Sequence, residues 1–213
     1  MRYVIRPYQK NDRPSVRRIS CETAFLGTDF HDFFSNEELL ADSLTLYFTD
    51  YEPESCFVAD LDKQVIGYII GSKDVRRTEK ISNSKVLPYL LAKAWRSKIF
   101  FNRRTLRFFL YILRSGIRGE FFMPDFSREF PATLHINLDR NSRGQGVGGA
   151  LIDRYLEYLR ENKVSGVHFG AFSEPARNFF LQHGFQELFK SKRTYFKPYI
   201  GKEINFYIFG KKL

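Results

Sequence analysis

Asp139-Arg140-Asn141-Ser142-Arg143-Gly144-Gln145-Gly146-Val147-Gly148-Gly149 puts two arginines and four glycines within eleven residues. Glycine lets a backbone approach a ligand with no Cβ in the way. Where such a stretch joins a strand to a helix, its amides gather at the helix N-terminus. Unpaired N–H groups and the positive end of the helix dipole then bind phosphate. The spacing excludes two other phosphate loops. No Lys-Ser or Lys-Thr follows the glycines, as a P-loop requires. Nor is Gly144-Gln145-Gly146-Val147-Gly148 a Gly-x-Gly-x-x-Gly in an early βαβ unit; it comes late in the chain. Just upstream lies His135. An imidazole titrates near pH 6.5 when unperturbed, which suits proton transfer at neutral pH. A hydrogen-bonded sheet histidine is the bland reading. Asn137 shares its face and can bind a substrate or orient a water.

The elements around these residues follow from periodicity. Thr133–Asp139 alternates, with Leu134, Ile136 and Leu138 on one side and Thr133, His135 and Asn137 on the other, so it reads as a strand. Ala150, Leu151, Tyr155, Leu156 and Leu159 fall at helical spacing over Gly146–Glu161. Gly166–Phe172 is the next strand. Glu174–His183 is a helix ended by Gly184. Phe185–Glu187, a segment around Arg193–Phe196, and Asn205–Phe209 complete the strands. Near the start, Tyr3–Arg6 reads as a strand stopped by Pro7. A helix over about Arg13–Cys21 is capped by Asn11 or Asp12. A second helix opens at Ser35-Asn36-Glu37-Glu38, where Ser35 and Glu38 have capping-box spacing. Ser55–Asp60 and Gln64–Gly71 form a hairpin about Leu61-Asp62-Lys63. From Asp74 to about Phe130 the chain is basic with helical spacing: Leu87, Leu90, Leu91, Ala94 and Trp95, then Leu106, Phe109, Leu110 and Leu113. Two or three helices are expected, ended by Gly116 and Gly119, as an insertion between strands.

The chain has 213 residues, 43% hydrophobic, and a net charge of +10. That is enough for one domain with a substantial core, and the charge favours anionic partners. Two cysteines, Cys21 and Cys56, make neither a disulfide framework nor a metal cluster. No metal is expected, and reduced thiols in a cytoplasmic protein are the natural reading. Met1–Pro7 has no apolar signal region. No apolar run approaches the ~18 residues of a spanning helix.

Arg143-Gly144-Gln145-Gly146-Val147-Gly148 resembles the Arg/Gln-x-x-Gly-x-Gly/Ala pyrophosphate motif of the GNAT acetyltransferase superfamily. Ala176-Arg177-Asn178-Phe179-Phe180-Leu181-Gln182-His183-Gly184-Phe185 resembles that family's Ala-x-x-Phe-Tyr-x-x-x-Gly-Phe helix, in the family's order. The likeness is sharp over about 131–188 and looser elsewhere. The insertion and Leu134-His135-Ile136-Asn137 look like a bacterial subgroup and the acetyltransferase-like domain attached to some O-GlcNAcases. The resemblance implies an α/β (α+β) GNAT fold: a mixed, mostly antiparallel sheet flanked by helices, with a basic helical insertion at about 75–130 of a single acyltransferase domain, 1–213. It implies acetyl-CoA in a V-shaped opening between the strands at 133–139 and 167–172. The pantetheine arm would pair with backbone near Leu138 and Arg140, and the pyrophosphate would sit on Arg143, Gly144, Gln145, Gly146, Val147, Gly148 and Gly149. The Ile136 N–H would polarise the thioester carbonyl, and a neutral amine would attack it directly.

The chain departs from the pattern at several positions. The usual thiolate-protonating Tyr falls at Phe180, which has no proton to give but can flank the coenzyme's sulfur arm. Tyr195 or water would serve instead, or the thiolate leaves unassisted. A common Asn falls at Ser173, so Asn178 would take a coenzyme contact. The usual Glu base has no counterpart at Ala132 or Leu134, which leaves His135; Glu120, Asp125 and Glu129 of the insertion are further carboxylates to weigh. These departures keep a second function open, a catalytically weak CoA-binding protein. A third is a basic module docking on nucleic acid or membrane, through Arg103, Arg104, Arg107, Arg114 and Arg118 interleaved with Trp95, Phe100, Phe101, Phe108 and Phe109. A solvated helix face and core packing explain those residues as well. The acceptor carries no readable motif, and dimers are common in the resembled family.

Overall fold

The hairpin of β2 (Cys56–Leu61) and β3 (Gln64–Ser72) is apolar at most positions and must be covered on both faces. Phe57, Ala59 and Ile69 face a cluster built on helix α6 (Val147–Glu161), with Leu151, Tyr155 and Leu159. Val58, Tyr68 and Ile70 face the opposite way, onto Val16 and Ile19 of α1 (Arg13–Thr23) and Tyr47 and Phe48 of α2 (Glu37–Tyr51). This is a computed structural model, and it describes residues 3–213. The hairpin turns on Asp62 and Lys63, both left-handed with φ of 51° and 67°. Leu61 already pairs with Gln64, so the turn is one residue shorter than expected.

β1 (Val4–Pro7) and β4 (Thr133–Leu138) complete an antiparallel sheet in the order β1-β2-β3-β4. A second antiparallel sheet has the order β5-β7-β6, from β5 (Gly166–Ala171), β6 (Gln186–Arg193) and β7 (Ile204–Lys212). Helix α7 (Glu174–Gln182) covers it through Phe180, which packs on Phe169 and Phe185. The result is the expected mixed α/β fold. The third expected strand group is different. Phe185–Glu187 and the segment near Arg193 are one strand, kept continuous by a bulge between Glu187 and Phe189. The chain then turns through a short helix, α8 (Lys197–Ile200).

Two caps also differ. Asp12 does not cap α1: its carboxylate accepts from Arg6 and from the Gln9 amide. Asn36, not Ser35, caps α2 by accepting from the Leu39 amide (2.8 Å). Ser35 instead meets the Thr105 hydroxyl.

Between β3 and β4 the chain forms α3 (Val75–Ile81), a π-helical turn at Ser82–Val86, α4 (Leu87–Arg96) and α5 (Arg103–Ile117). Asp74 caps α3 and Asn102 caps α5 through side-chain oxygens. The inner faces pack on a third cluster, with Ala94 and Phe108 against Phe33, Phe34 and Phe196. Lys93 of α4 pins the insertion to the body by donating to the buried Asp42 carboxylate (2.5 Å), which Arg17 also holds. The expected apolar faces are only half covered. Leu87, Leu91 and Trp95 of α4 and Leu106, Leu110 and Leu113 of α5 point outward, because each helix carries a second apolar stripe that nothing overlies.

Candidate active site

Among the described residues, backbone hydrogen bonds join β4's end of the first sheet to β5 at one place. The Ala132 N–H donates to the Gly166 carbonyl (3.0 Å), and the His168 N–H donates to the Ala132 carbonyl (2.9 Å), as in a parallel pair. Beyond Ala132, no backbone hydrogen bond joins β4 to β5 among the described residues. The strands therefore part into a wedge-shaped gap. The Asp139 N–H bonds back to Ile66 of β3 (2.9 Å), on the other side of β4. Backbone groups of a strand alternate in direction, so Leu134, Ile136 and Leu138 share the direction of Ala132. Their N–H and C=O groups face the gap.

Past β4, Asp139 accepts from the Asn141 amide and from the Arg18 guanidinium, fixing the start of the loop. Arg140–Ser142 makes one 3₁₀ turn. Gly144 and Gly146 both take left-handed φ, +75° and +79°, which a side chain would resist. Gly146 is the N-cap of α6, and no side chain caps that helix. Its first intrahelical amide is that of Ala150, bonded to the Gly146 carbonyl (3.1 Å). The amides before it are left for a ligand. Arg140 and Arg143 are exposed beside them, and neither pairs with a carboxylate among the described residues. An uncapped helix start, left-handed glycines and the Arg143 guanidinium have the chemistry of an anion cradle, with Arg140 beside them donating to the Gly27 carbonyl.

Residues 117–185 match the model of the acetyltransferase (GNAT) family. That stretch contains the gap, the cradle and α7. Over these 69 of its 213 residues the chain is similar to that family. Among solved structures, SsHAT is 24% identical, with 99% of this chain and 98% of that one covered at a TM-score of 0.70. A Drosophila melanogaster polyamine N-acetyltransferase is 14% identical over all of both chains, at a TM-score of 0.64. An N-acetyltransferase from Staphylococcus aureus is 11% identical, covering 100% and 99%, at a TM-score of 0.60. These likenesses support the fold.

His135 and Asn137 lie on the α1–α2 face of β4, opposite Leu134 and Ile136. The His135 ring meets Phe48 edge-on at 5.4 Å. It is exposed to solvent, yet burial lowers its pKa below the usual 6.5. The Asn137 amide donates to the Tyr68 hydroxyl (2.7 Å). Tyr68 is buried, and burial raises its pKa, so it stays a phenol. Sequence reading missed this partner. The signal was available: a Tyr on the central strand of an apolar hairpin must find a polar neighbour.

Other candidates sit apart. Tyr195 packs on Phe196 with tilted rings (4.3 Å) in the third cluster and makes no contact with His135 among the described residues. Burial raises its pKa to about 12. Phe180 is core, packed on Phe169 at 4.5 Å, whereas Phe179 lies against Gly148. The Ser173 hydroxyl is occupied in capping α7 through the Ala176 amide (3.2 Å), and Asn178 is exposed on that helix. Glu120 is engaged by Thr194, and Glu129 pairs with Lys212. Asp125 is exposed and accepts from the Ser127 amide. None of the three approaches His135 in any hydrogen bond or ion pair among the described residues. No group of three or more His, Cys, Asp or Glu suited to a metal occurs there either.

Proposed function

We propose that this protein transfers an acetyl group from acetyl-CoA directly to an amine. The observation that carries the reading is the gap between β4 and β5, which opens onto the uncapped α6 amides. The unpaired backbone groups on this side of β4 would let a pantetheine arm pair as an added strand near Leu138 and Arg140. The cradle, Arg143 to Gly149, receives the pyrophosphate. In this arrangement the Ile136 N–H aims at the thioester oxygen and holds the negative charge that develops there. The amine nitrogen attacks the carbonyl carbon, and the C–S bond breaks as the tetrahedral intermediate collapses. His135, kept neutral near pH 7 by its lowered pKa, takes the ammonium proton. Asn137, oriented by Tyr68, binds or aligns the acceptor from the α1–α2 side. Phe180 supplies no proton, and Tyr195 lies in a separate aromatic cluster, so the thiolate leaves without a side-chain acid. Asn178 is the polar group on α7 left to meet the coenzyme. The insertion, about 75–130, works as part of one acyltransferase unit. Two buried, unpaired cysteines suit a reducing, cytoplasmic setting.

The test is thermal unfolding with acetyl-CoA, followed by release of free coenzyme thiol across a panel of amines. Polyamines and agmatine, named for two structural neighbours, head the panel. Coenzyme at a hundred times its Kd would stabilise the fold by about 2.7 kcal/mol. No shift at saturation would remove the coenzyme assignment. A shift without turnover on any amine would reduce the protein to a CoA binder.

A further inference from the structure

Residues 80–119 hold ten of the chain's 34 lysines and arginines and none of its 24 aspartates and glutamates. The rest of the chain has 24 of each sign, so this one segment carries the whole net charge of +10. It also carries the exposed apolar surface. Of seventeen large apolar side chains exposed among the described residues, fourteen lie between Leu87 and Met123. Single exposed apolar residues are ordinary, but a concentration of them marks an interaction surface.

The arrangement on α5 is ordered. At 3.6 residues per turn, Thr105, Phe108, Ile112 and Ser115 share the face that meets the body. Leu106, Leu110, Leu113 and Ile117 share a second face, open to solvent, with Ile117 80% exposed. Arg103, Arg107, Arg114 and Arg118 run along the next face round. Leu87, Leu91 and Trp95 repeat the open stripe on α4, with Trp95 74% exposed. An apolar stripe bordered by arginines is the pattern of a helix lying in a membrane interface. None of the protein's described helices is long and apolar enough to cross a bilayer.

We propose that the outer face of α4 and α5 docks on an anionic lipid bilayer. The leucines and Trp95 enter the boundary between headgroups and acyl chains, and the arginines meet lipid phosphates. Two other occupants fit less well. A second copy would press one segment of charge +10 against another. Nucleic acid would use the arginines, and its bases can stack on aromatic rings, but Leu110, Leu113 and Ile117 would gain nothing from it. A bilayer uses both features. The surface needs no rearrangement, because Lys93, Phe108 and Thr105 already fix the inner faces.

Trp95 is the single tryptophan of the chain and so reports on this face directly. The full-length protein is mixed with vesicles of phosphatidylcholine, with and without phosphatidylglycerol. The expected result is flotation with the anionic vesicles only, a blue shift of Trp95 emission, and loss of both at high salt. The triple variant Leu110→Gln, Leu113→Gln, Ile117→Gln should lose the shift while keeping its unfolding temperature, because all three side chains are exposed. In Arg107→Ser and Arg114→Ser, each change should lower partitioning by about fivefold. Three outcomes would overturn the proposal. One is no flotation with anionic vesicles at low salt. Another is a lipid-free Trp95 shift that grows with protein concentration alongside a doubled scattering mass, which would assign the face to a second copy. The last is duplex DNA displacing the vesicles and binding the Gln triple variant as tightly as the parent, which would assign it to nucleic acid.

Discussion

The His135 ring packs edge-on against Phe48 and is otherwise open to solvent. Burial disfavours the charged imidazolium, so the folded pKa falls below 6.5. The neutral base is then favoured at pH 7 and is lost as pH falls through the lowered value. The acid limb of the kcat/KM profile should therefore be centred below about 6.5. An acid limb centred above that value would remove His135 as the base. Replacing it with Ala should lower kcat by about a hundredfold or more, while calorimetric affinity for acetyl-CoA stays unchanged. His135 and Asn137 were readable from the alternation of β4. Tyr68, which orients Asn137, was not, because its strand gave no hint of which polar group it would meet.

The loop from Asp139 to Gly149 works as an element, since its amides point at one place only while Gly144 and Gly146 hold left-handed φ. Gly146→Ala should cost about 1 kcal/mol in coenzyme binding, seen as a roughly fivefold weaker Kd by calorimetry. The insertion has its own anchor in Asp42. Burial would raise that carboxyl, but Lys93 and Arg17 hold it below the ordinary carboxylate value. Its contribution to stability is thus complete above the unfolded pKa and fades as pH falls through the lowered folded one. Asp42→Ala leaves two cations without their partner and should destabilise by about 3 kcal/mol, measured by urea unfolding at pH 7. Equal stability of variant and parent would show that the insertion is held by Phe108 and its neighbours alone. Spacing located the helices of the insertion but did not decide which of their apolar residues would be buried. Helical period fixes which residues share a stripe; it does not say how many stripes find a neighbour.

Across the whole molecule, both thiols are shut in. Burial pushes Cys21 up to about 11 and Cys56 higher still. Native protein should react slowly with a disulfide reagent and reveal two thiols only when unfolded. Rapid native labelling would show that α1 and α2 open readily; slow labelling leaves the coenzyme-release assay free of background. The glycine-rich loop between a strand and a helix, the strands and helices from Thr133 to Gly184, and the excess of positive charge were determined by the sequence alone. They are local properties: glycine spacing, period two against period 3.6, and residue type. Tertiary structure decided the rest. Only the join at Ala132 and Val167 creates the gap between the sheets, because it depends on residues 35 apart in sequence meeting once before their strands diverge. Only packing could show that Phe180 lies in the core, that Tyr195 sits apart from His135, and that the outer stripe of α4 and α5 faces solvent. Burial belongs to a residue's surroundings, and those are assembled from distant parts of the chain.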